Sequence, residues 1–292
     1  MPWVEVCFSV DREDVAAAER CLEELGALAV TLEDEADHPV LEPGPGETPL
    51  WPTVQLRGLF ESGLDRERVL TDLAAVPGGE RPGAVRVQEV GDRDWARAWM
   101  DRFRPMCFGT HLWIVPTGMS IKPDPSHIEI RLDPGLAFGT GTHPTTALCL
   151  EWLDAQDLTG YGLVDYGCGS GILSVAAALK GAEEVMAVDN DPQALEATSI
   201  NARRNAVDRR ISAVLPDDCH TRNADVVLAN ILAGPLIELA AVIAGCARPG
   251  GKIVLSGLLS EQVDGVVAAY PDCEIEDVVT REGWARVEMH KL

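Results

Sequence analysis

The alternation of β-prone and helix-prone runs after residue 160 constrains the fold of this chain more than any other feature. Seven runs read as strands, namely GLVDY, EVMAVD, RISAVLP, ADVVLAN, GKIVLSG, CEIEDVV and WARVEMHKL, and helical patterns separate most of them. Strands that alternate with helices predict a doubly wound, mainly parallel sheet. Only TREG separates the last two runs, so we expect an antiparallel hairpin there. The predicted fold class is therefore α/β, with a seven-stranded Rossmann-like sheet.

The first ninety residues follow a different order. Their strand-like runs are WVEVCFSV, LAVTLEDE, VQLRGLFE and AVRVQEV, and their helical runs are DREDVAAAERCLEELGA and DRERVLTDLAAV. The resulting order, βαββαβ, predicts a small α+β ferredoxin-like domain over residues 1–91. Residues 92–131 read as a linker helix followed by connecting strands, and residues 132–292 form the larger domain. A chain of 292 residues is long enough for two such domains.

A glycine-rich loop, VDYGCGSGIL, occupies the turn from the first strand of the larger domain into its first helix. In open α/β sheets, ligands bind beyond the carboxyl ends of the strands near such a turn. Gly167, Gly169 and Gly171 let the backbone approach a ligand where a Cβ would clash. The loop has neither the G-x-G-x-x-G spacing of dinucleotide sites nor the Gly-Lys-Ser/Thr of phosphate loops. Taken alone it is a weak signal, because any tight strand-to-helix turn can use glycine.

Two polar side chains stand where other strands of the predicted sheet end. Asp189 ends EVMAVD, a position from which a carboxylate can accept hydrogen bonds from both ribose hydroxyls. Helix capping is the alternative role, but Asp191, directly before Pro192, already suits it. Asn230 ends ADVVLAN, and its amide offers one acceptor and two donors. By itself Asn230 is better explained as a turn residue.

As a set, the glycine loop, the acid and the asparagine resemble the class I S-adenosylmethionine-dependent methyltransferases. LDPGLAFGTGTHPTT, DYGCGSGIL, AVDNDPQAL and NILAGPL narrow the resemblance to the ribosomal protein L11 methyltransferase family (PrmA). MPW, PGETPLW and DWARAWMDRFRPMCFG extend it over nearly the whole chain. The resemblance implies a class I methyltransferase domain, a ferredoxin-like substrate-recognition domain and S-adenosylmethionine as co-substrate. It also implies methylation of lysine side-chain amines and of the N-terminal α-amine of ribosomal protein L11.

The resemblance also implies the site residues. Carried over residue by residue, the cofactor contacts are Thr146, Gly167, Asp189 and Asn230. We add Gly169 of the glycine loop and Phe138, which lies in residues 132–146. We interpret this stretch as a flexible lip over the methionine end of the cofactor, with Phe138 shielding the sulfonium. Asn230 is assigned a positioning role in catalysis, and no general base is identified.

Methyl transfer to a lysine requires a neutral amine, whose ordinary pKa is about 10.4. Desolvation and a neighbouring sulfonium both lower this pKa, so loss of the proton to water suffices. Related enzymes that act on planar nitrogens carry Asn/Asp-Pro-Pro-aromatic at this point. Here Asn230 is followed by Ile231, Leu232 and Ala233, which leaves no aromatic surface for a base. This departure favours an aliphatic amine over a nucleic-acid base.

The charge and the cysteine content limit which classes of partner and which cellular compartment we expect. The net charge is −23, and residues 1–91 carry 7 Lys and Arg against 19 Asp and Glu, a balance of −12. An acidic surface repels nucleic acid and suits a basic protein substrate, although acidity for solubility alone is an equally good explanation. The eight cysteines contain no C-x-x-C pair, and neither a signal peptide nor a run of ~20 apolar residues is present. We therefore expect a cytoplasmic protein with reduced thiols and no membrane partner.

Several other functions remain as alternatives. A methyltransferase that acts on RNA would need a basic face, and another protein substrate is also compatible with the motifs. A nicotinamide-nucleotide-binding protein would need the longer glycine spacing. Cys168 has no apparent histidine partner for nucleophilic catalysis, and His143 has no neighbours at metal-ligand spacing. We therefore expect neither a cysteine nucleophile nor a metal site.

Overall fold

The computed structural model of the chain describes residues 3–34, 50–76, 85–90, 104–132 and 143–292. The chain divides into two compact units, Met1–Ala98 and Trp99–Leu292. Each unit contains its own hydrophobic core among these residues.

The smaller unit contains a four-stranded antiparallel sheet and two helices. Its elements are β1 Trp3–Asp11, α1 Val15–Glu24, β2 Ala29–Asp34, β3 Thr53–Glu61, α2 Arg66–Ala74 and β4 Arg86–Val90, with a 3-10 turn at Arg12–Asp14. The strands lie in the order β2-β3-β1-β4, and every neighbouring pair is antiparallel. Side chains of β1 and β3 are buried at alternate positions, as expected for strands with one face on a core. Val15, Ala18 and Leu22 of α1 pack into that core.

The larger unit is built around a seven-stranded sheet. Its elements are β5 Met106–Phe108, β6 Leu112–Val115, β7 Ile128–Arg131, α3 Pro144–Ala155, β8 Gly162–Tyr166, α4 Ile172–Leu179, β9 Glu184–Val188, α5 Pro192–Arg204, β10 Ile211–Val214, β11 Ala224–Asn230, α6 Ala233–Glu238, α7 Ala240–Cys246, β12 Ala247–Leu259, α8 Val263–Val267, β13 Cys273–Arg281 and β14 Trp284–Lys291. Short 3-10 turns lie at Pro216–Asp218 and Ser260–Gln262. Within the described ranges, no helix is both long enough and apolar enough to cross a bilayer.

The seven strands lie in the order β10-β9-β8-β11-β12-β14-β13. β14 runs antiparallel to both of its neighbours, β12 and β13, and the other neighbouring pairs in this sheet are parallel. The alternation of strands and helices predicted after residue 160 is confirmed, as is the antiparallel hairpin at the end of the chain. Along the chain, β9 and β10 are added on one side of β8, and β11 is then added on its other side. The strand order therefore reverses between β8 and β11, the position at which such sheets bind ligands.

Strands β5, β6 and β7 form a second, three-stranded sheet, in which β6 and β7 coincide with the connecting strands expected in residues 92–131. Phe108, Leu112 and Ile130 of this sheet are buried in the same core as α3 and α4. The described part of the predicted connection therefore belongs to the larger unit. The sequence did not predict β5, because three residues directly after a proline are too few to show alternation. The predicted linker helix, residues 94–105, lies almost entirely outside the described residues.

Candidate functional site

A cavity of about 670 Å³ opens at the carboxyl edge of the seven-stranded sheet, where the strand order reverses. Its walls are mainly apolar and carry a few polar groups, which is typical of small-molecule sites. Five residues predicted from the sequence line this cavity together, namely Thr146, Gly167, Gly169, Asp189 and Asn230. The sixth, Phe138, lies outside the described residues together with most of the predicted lip.

The start of α3 brings Thr146 to the cavity. His143 caps this helix, and its Nδ1 accepts a hydrogen bond from the backbone N–H of Thr145 at 3.3 Å. Pro144 occupies the first helical position, where its fixed φ and missing N–H suit a helix start. Thr146 follows in the first turn and is buried. Its hydroxyl accepts a hydrogen bond from Asn230 Nδ2 at 3.3 Å, which joins α3 to the end of β11.

Asn230 presents a buried acceptor at the end of β11. Its Nδ2 is used in the bond to Thr146, whereas its Oδ1 is buried and has no hydrogen-bond partner within the described part of the chain. A buried acceptor without a partner costs free energy, about 1–3 kcal/mol, so such atoms are uncommon in folded proteins. Because Asn230 lines the cavity, a ligand that donates a hydrogen bond to Oδ1 would remove this cost.

The glycine loop between β8 and α4 packs tightly against its protein neighbours. A Cβ at Gly167 would lie 2.2 Å from Ile231 Cγ2, and one at Gly171 would lie 2.7 Å from Thr198 Oγ1. Both glycines also adopt positive φ, 81° and 75°. Packing within this chain therefore requires glycine at both positions, and the expectation that the loop lets a ligand approach stays a prediction. The glycine loop therefore packs directly against Ile231, which follows β11, and against Thr198 of α5.

Asp189 lies directly after β9, and two backbone N–H groups orient its carboxylate. Oδ2 accepts from Gly169 N at 2.9 Å, and Oδ1 accepts from Asp191 N at 3.0 Å. Asp191 caps α5 through a bond from Gln193 N, so the capping role predicted for Asp191 is confirmed. Each carboxylate oxygen of Asp189 retains a lone pair. Asp189 therefore does not cap α5, and its carboxylate can accept two further hydrogen bonds from a ligand in the cavity.

Burial keeps two potentially reactive side chains of the cavity uncharged. Burial raises the pKa of the Cys168 thiol, and it lowers the pKa of the His143 imidazole. The Cys168 Sγ lies 3.4 Å from Thr198 Oγ1, within hydrogen-bond reach for a thiol. Since the thiolate is the nucleophilic form of cysteine, this environment makes Cys168 a packing residue.

Sequence reasoning missed the aromatic wall of the cavity. Trp284 lines the cavity, and its ring meets His143 edge-on with ring centroids 4.7 Å apart. Trp284 is the first residue of β14 and pairs with Leu259 near the end of β12. An antiparallel strand begins at the edge where the parallel strands end. The predicted hairpin therefore contained the signal that would have placed Trp284 beside the site.

The sequence is similar to known methyltransferases along almost its whole length. Residues 2–292 match the family described as Ribosomal protein L11 methyltransferase (PrmA). A protein of that name from Pseudomonas aeruginosa (strain LESB58) is 50% identical over 289 residues, which is 98% of either chain. Another from Azotobacter vinelandii is 49% identical over 290 residues, 99% of either chain. The crystal structure of ribosomal protein L11 methylase from Lactobacillus delbrueckii subsp. bulgaricus is 29% identical with a TM-score of 0.60, covering 65% of this chain and 99% of that one.

Proposed function

The chain belongs to the ribosomal protein L11 methyltransferase (PrmA) family of S-adenosylmethionine-dependent methyltransferases, and we propose that it methylates lysine side-chain amines and the N-terminal α-amine of ribosomal protein L11. The observation that carries the proposal is the cavity at the sheet edge, where Thr146, Gly167, Asp189 and Asn230 meet.

The groups that line this cavity fit S-adenosylmethionine. The Asp189 carboxylate, oriented by two N–H groups, suits the two hydroxyls of a ribose. The unpartnered Asn230 Oδ1 suits an amine donor, and the apolar wall suits an adenine ring. When bound, S-adenosylmethionine supplies an electrophilic methyl group on a positively charged sulfur. Gly167, Gly169 and Thr146 complete the proposed set of cofactor contacts, to which Phe138 belongs as part of the lip.

In this mechanism the protein positions the reactants and excludes water. Asn230 orients the incoming nitrogen through Oδ1, and the bond to Thr146 fixes the rotation of its amide. The apolar walls desolvate the amine and lower its pKa, so that it loses its proton to water. The reaction requires no thiolate from Cys168, whose pKa is raised by burial.

We assign substrate recognition to the smaller unit. Its strand order β2-β3-β1-β4 with the element order βαββαβ supports a ferredoxin-like domain. Its charge supports the choice of substrate, because 19 Asp and Glu against 7 Lys and Arg in residues 1–91 attract a basic protein and repel nucleic acid. The proposed reaction takes place in the cytoplasm, where ribosomal proteins are made.

The test supplies the purified protein with S-adenosylmethionine labelled on its methyl group, together with free ribosomal protein L11 or with ribosomal RNA. We expect label on the protein, and peptide mass mapping should place it on lysines and on the N-terminal residue. Label on the RNA, or on neither, contradicts the proposal.

A further inference from the structure

We propose that Thr198 and Asn201 of α5 are positioning residues that set the conformation of the glycine loop for cofactor binding. Neither residue lines the cavity. The inference rests on the proposed role of the loop in cofactor binding. It adds that two side chains outside the loop determine the conformation of the loop.

The loop cannot hold its conformation by its own side chains. Glycine torsion angles are permissive, and the residue at the centre of the loop, Gly169, has a φ of 53°. Backbone bonds orient the N–H groups of Gly167, Cys168 and Gly171, so the carbonyl groups of the loop centre depend on other partners for their orientation.

Thr198 makes two contacts with the loop from the buried face of α5. Its hydroxyl donates to the carbonyl oxygen of Gly169 at 3.1 Å. With its hydrogen used in that bond, the same oxygen accepts from the Cys168 thiol, whose Sγ lies 3.4 Å away. Burial keeps this thiol protonated and able to donate. Thr198 has no exposed surface, 0%, and its bond to the thiol is buried.

Asn201 supports the next residue of the loop. It lies one helical turn further along α5, on the same face as Thr198. Its Nδ2 donates to the carbonyl oxygen of Ser170 at 2.8 Å, and this contact is buried. Two successive carbonyl groups of the loop, those of Gly169 and Ser170, are thus turned towards α5.

These contacts connect the loop to the Asp189 carboxylate. The Gly169 carbonyl is held by Thr198, while the Gly169 N–H donates to Asp189 Oδ2 at 2.9 Å. The first turn of α5 holds the other carboxylate oxygen, since Asp189 Oδ1 accepts from the N–H of the capping residue Asp191. The two peptide groups of Gly169 therefore join Thr198 of α5 to the Asp189 carboxylate, whose other oxygen is held by the capping residue of the same helix.

Removing the Thr198 hydroxyl leaves the half-buried Gly169 carbonyl without its side-chain donor. The permissive torsions of Gly169 then let that carbonyl turn towards another partner, and the neighbouring N–H loses its alignment with Asp189. The expected consequence is weaker binding of the cofactor with an unchanged rate of methyl transfer once the cofactor is saturating.

The experiment compares Thr198→Val, Thr198→Ser, Asn201→Leu and Ser199→Ala. Valine matches threonine in shape but lacks the hydroxyl, and serine restores the hydroxyl. Ser199 is a matched control, because its hydroxyl donates to Leu195 O within the same helix at 2.9 Å and lies outside the described contacts with the loop. The dissociation constant of S-adenosylmethionine is measured by calorimetry without any acceptor, below the unfolding temperature of each variant. The result is therefore independent of which protein is methylated.

We expect Thr198→Val to raise the dissociation constant about 10-fold, the effect of one lost buried hydrogen bond. Asn201→Leu, an independent variant, should change it in the same direction. Thr198→Ser and Ser199→Ala should stay within about twofold, by the same reasoning. A Thr198→Val protein with a lowered unfolding temperature and an unchanged dissociation constant would show a structural role only. Unchanged cofactor binding in folded Asn201→Leu would equally overturn the proposal for that residue.

Discussion

At the scale of single residues, Asp189 has the most direct role in the proposed site. We predict that Asp189→Ala raises the dissociation constant of S-adenosylmethionine about 10- to 100-fold, because bonds to a charged acceptor contribute about 1.5–3 kcal/mol. Calorimetry measures this constant. The side chain is only half-buried, so the free energy of unfolding should change little.

Asp189→Asn is the matched control for this prediction. Asparagine retains one side-chain oxygen that can accept from the Gly169 N–H, and it loses the charge. Its effect on the dissociation constant should therefore be smaller than that of alanine. Equal affinities in wild type and Asp189→Ala would remove Asp189 from the cofactor site.

Asp165, beneath the glycine loop, gives a prediction about pH. Its carboxylate is buried and accepts a hydrogen bond from Ser174 at 2.6 Å, and burial raises its pKa from 3.8 to about 6. Between these two pH values the folded chain holds a proton that the unfolded chain has released. Stability therefore falls as the pH rises through this window, and the full loss is present above about pH 6.

We predict that Asp165→Asn is more stable than wild type at about pH 8, by about 1–3 kcal/mol, since a shift of this size corresponds to at most about 3 kcal/mol. The gain should shrink to about half at about pH 5, inside the titration window. Urea unfolding at both pH values measures the free energies. A gain of the same size at both values would mean that Asp165 does not titrate in this window.

At the scale of elements, the last turn of α3 holds the three-stranded sheet in place. Asp154 is buried there, and its Oδ2 accepts from the backbone N–H groups of Thr110 at 2.6 Å and His111 at 3.2 Å. These two residues lie in the turn between β5 and β6. We predict that Asp154→Ala lowers the free energy of unfolding by about 2–4 kcal/mol, since two N–H groups lose their acceptor. Urea unfolding provides the measurement.

The Asp154 prediction has a conservative control. Asp154→Asn keeps an oxygen that can accept from the turn, so its loss of stability should be the smaller one. Thr146 lies at the opposite end of α3, so cofactor affinity should stay near that of wild type in both variants. A large fall in cofactor affinity in Asp154→Ala would show that the two ends of α3 are coupled.

Regular elements were predictable where a pattern repeats within a few residues. The strands Gly162–Tyr166 and Ala224–Asn230 have the predicted bounds, because each is a mainly apolar run buried on both faces. The helical segment after Asn230 contains Pro235 near its start. It begins at Ala233 and divides into α6 and α7 at Leu239, whose φ of −96° and ψ of 8° leave the helical region. No periodicity in the sequence marks that break.

The same distinction applies to the candidate site. Asp189 and Asn230 were predictable because the end of a parallel strand fixes where the next side chain lies. Thr198 was not, since its bond to Gly169 joins residues 29 apart and depends on how α5 packs on the loop. Trp284 could have been placed, because the second strand of the predicted antiparallel hairpin begins at this same edge of the sheet. Contacts set by topology were therefore visible in the sequence, and contacts set by packing were not.

At the scale of the whole molecule, charge is the property that bears on the partner. The net charge is −23, of which residues 1–91 carry −12. Salt screens interactions between exposed charges beyond a Debye length, about 10 Å at 0.1 M. We predict that raising the salt from about 50 to about 300 mM increases the KM for the protein substrate severalfold. Initial rates of methyl transfer at saturating cofactor measure this KM, and kcat should change less.

Two pairs of neighbouring exposed glutamates allow the effect of charge on substrate binding to be compared between the two units. Glu23 and Glu24 end α1 in the smaller unit, and Glu183 and Glu184 lie at the start of β9 in the larger unit. Each pair changed to glutamine removes two negative charges. Only the first double variant should raise the KM for the protein substrate, by about two- to threefold at low salt, because attraction to the substrate is assigned to the smaller unit. An equal rise in both variants would assign the attraction to the charge of the whole chain.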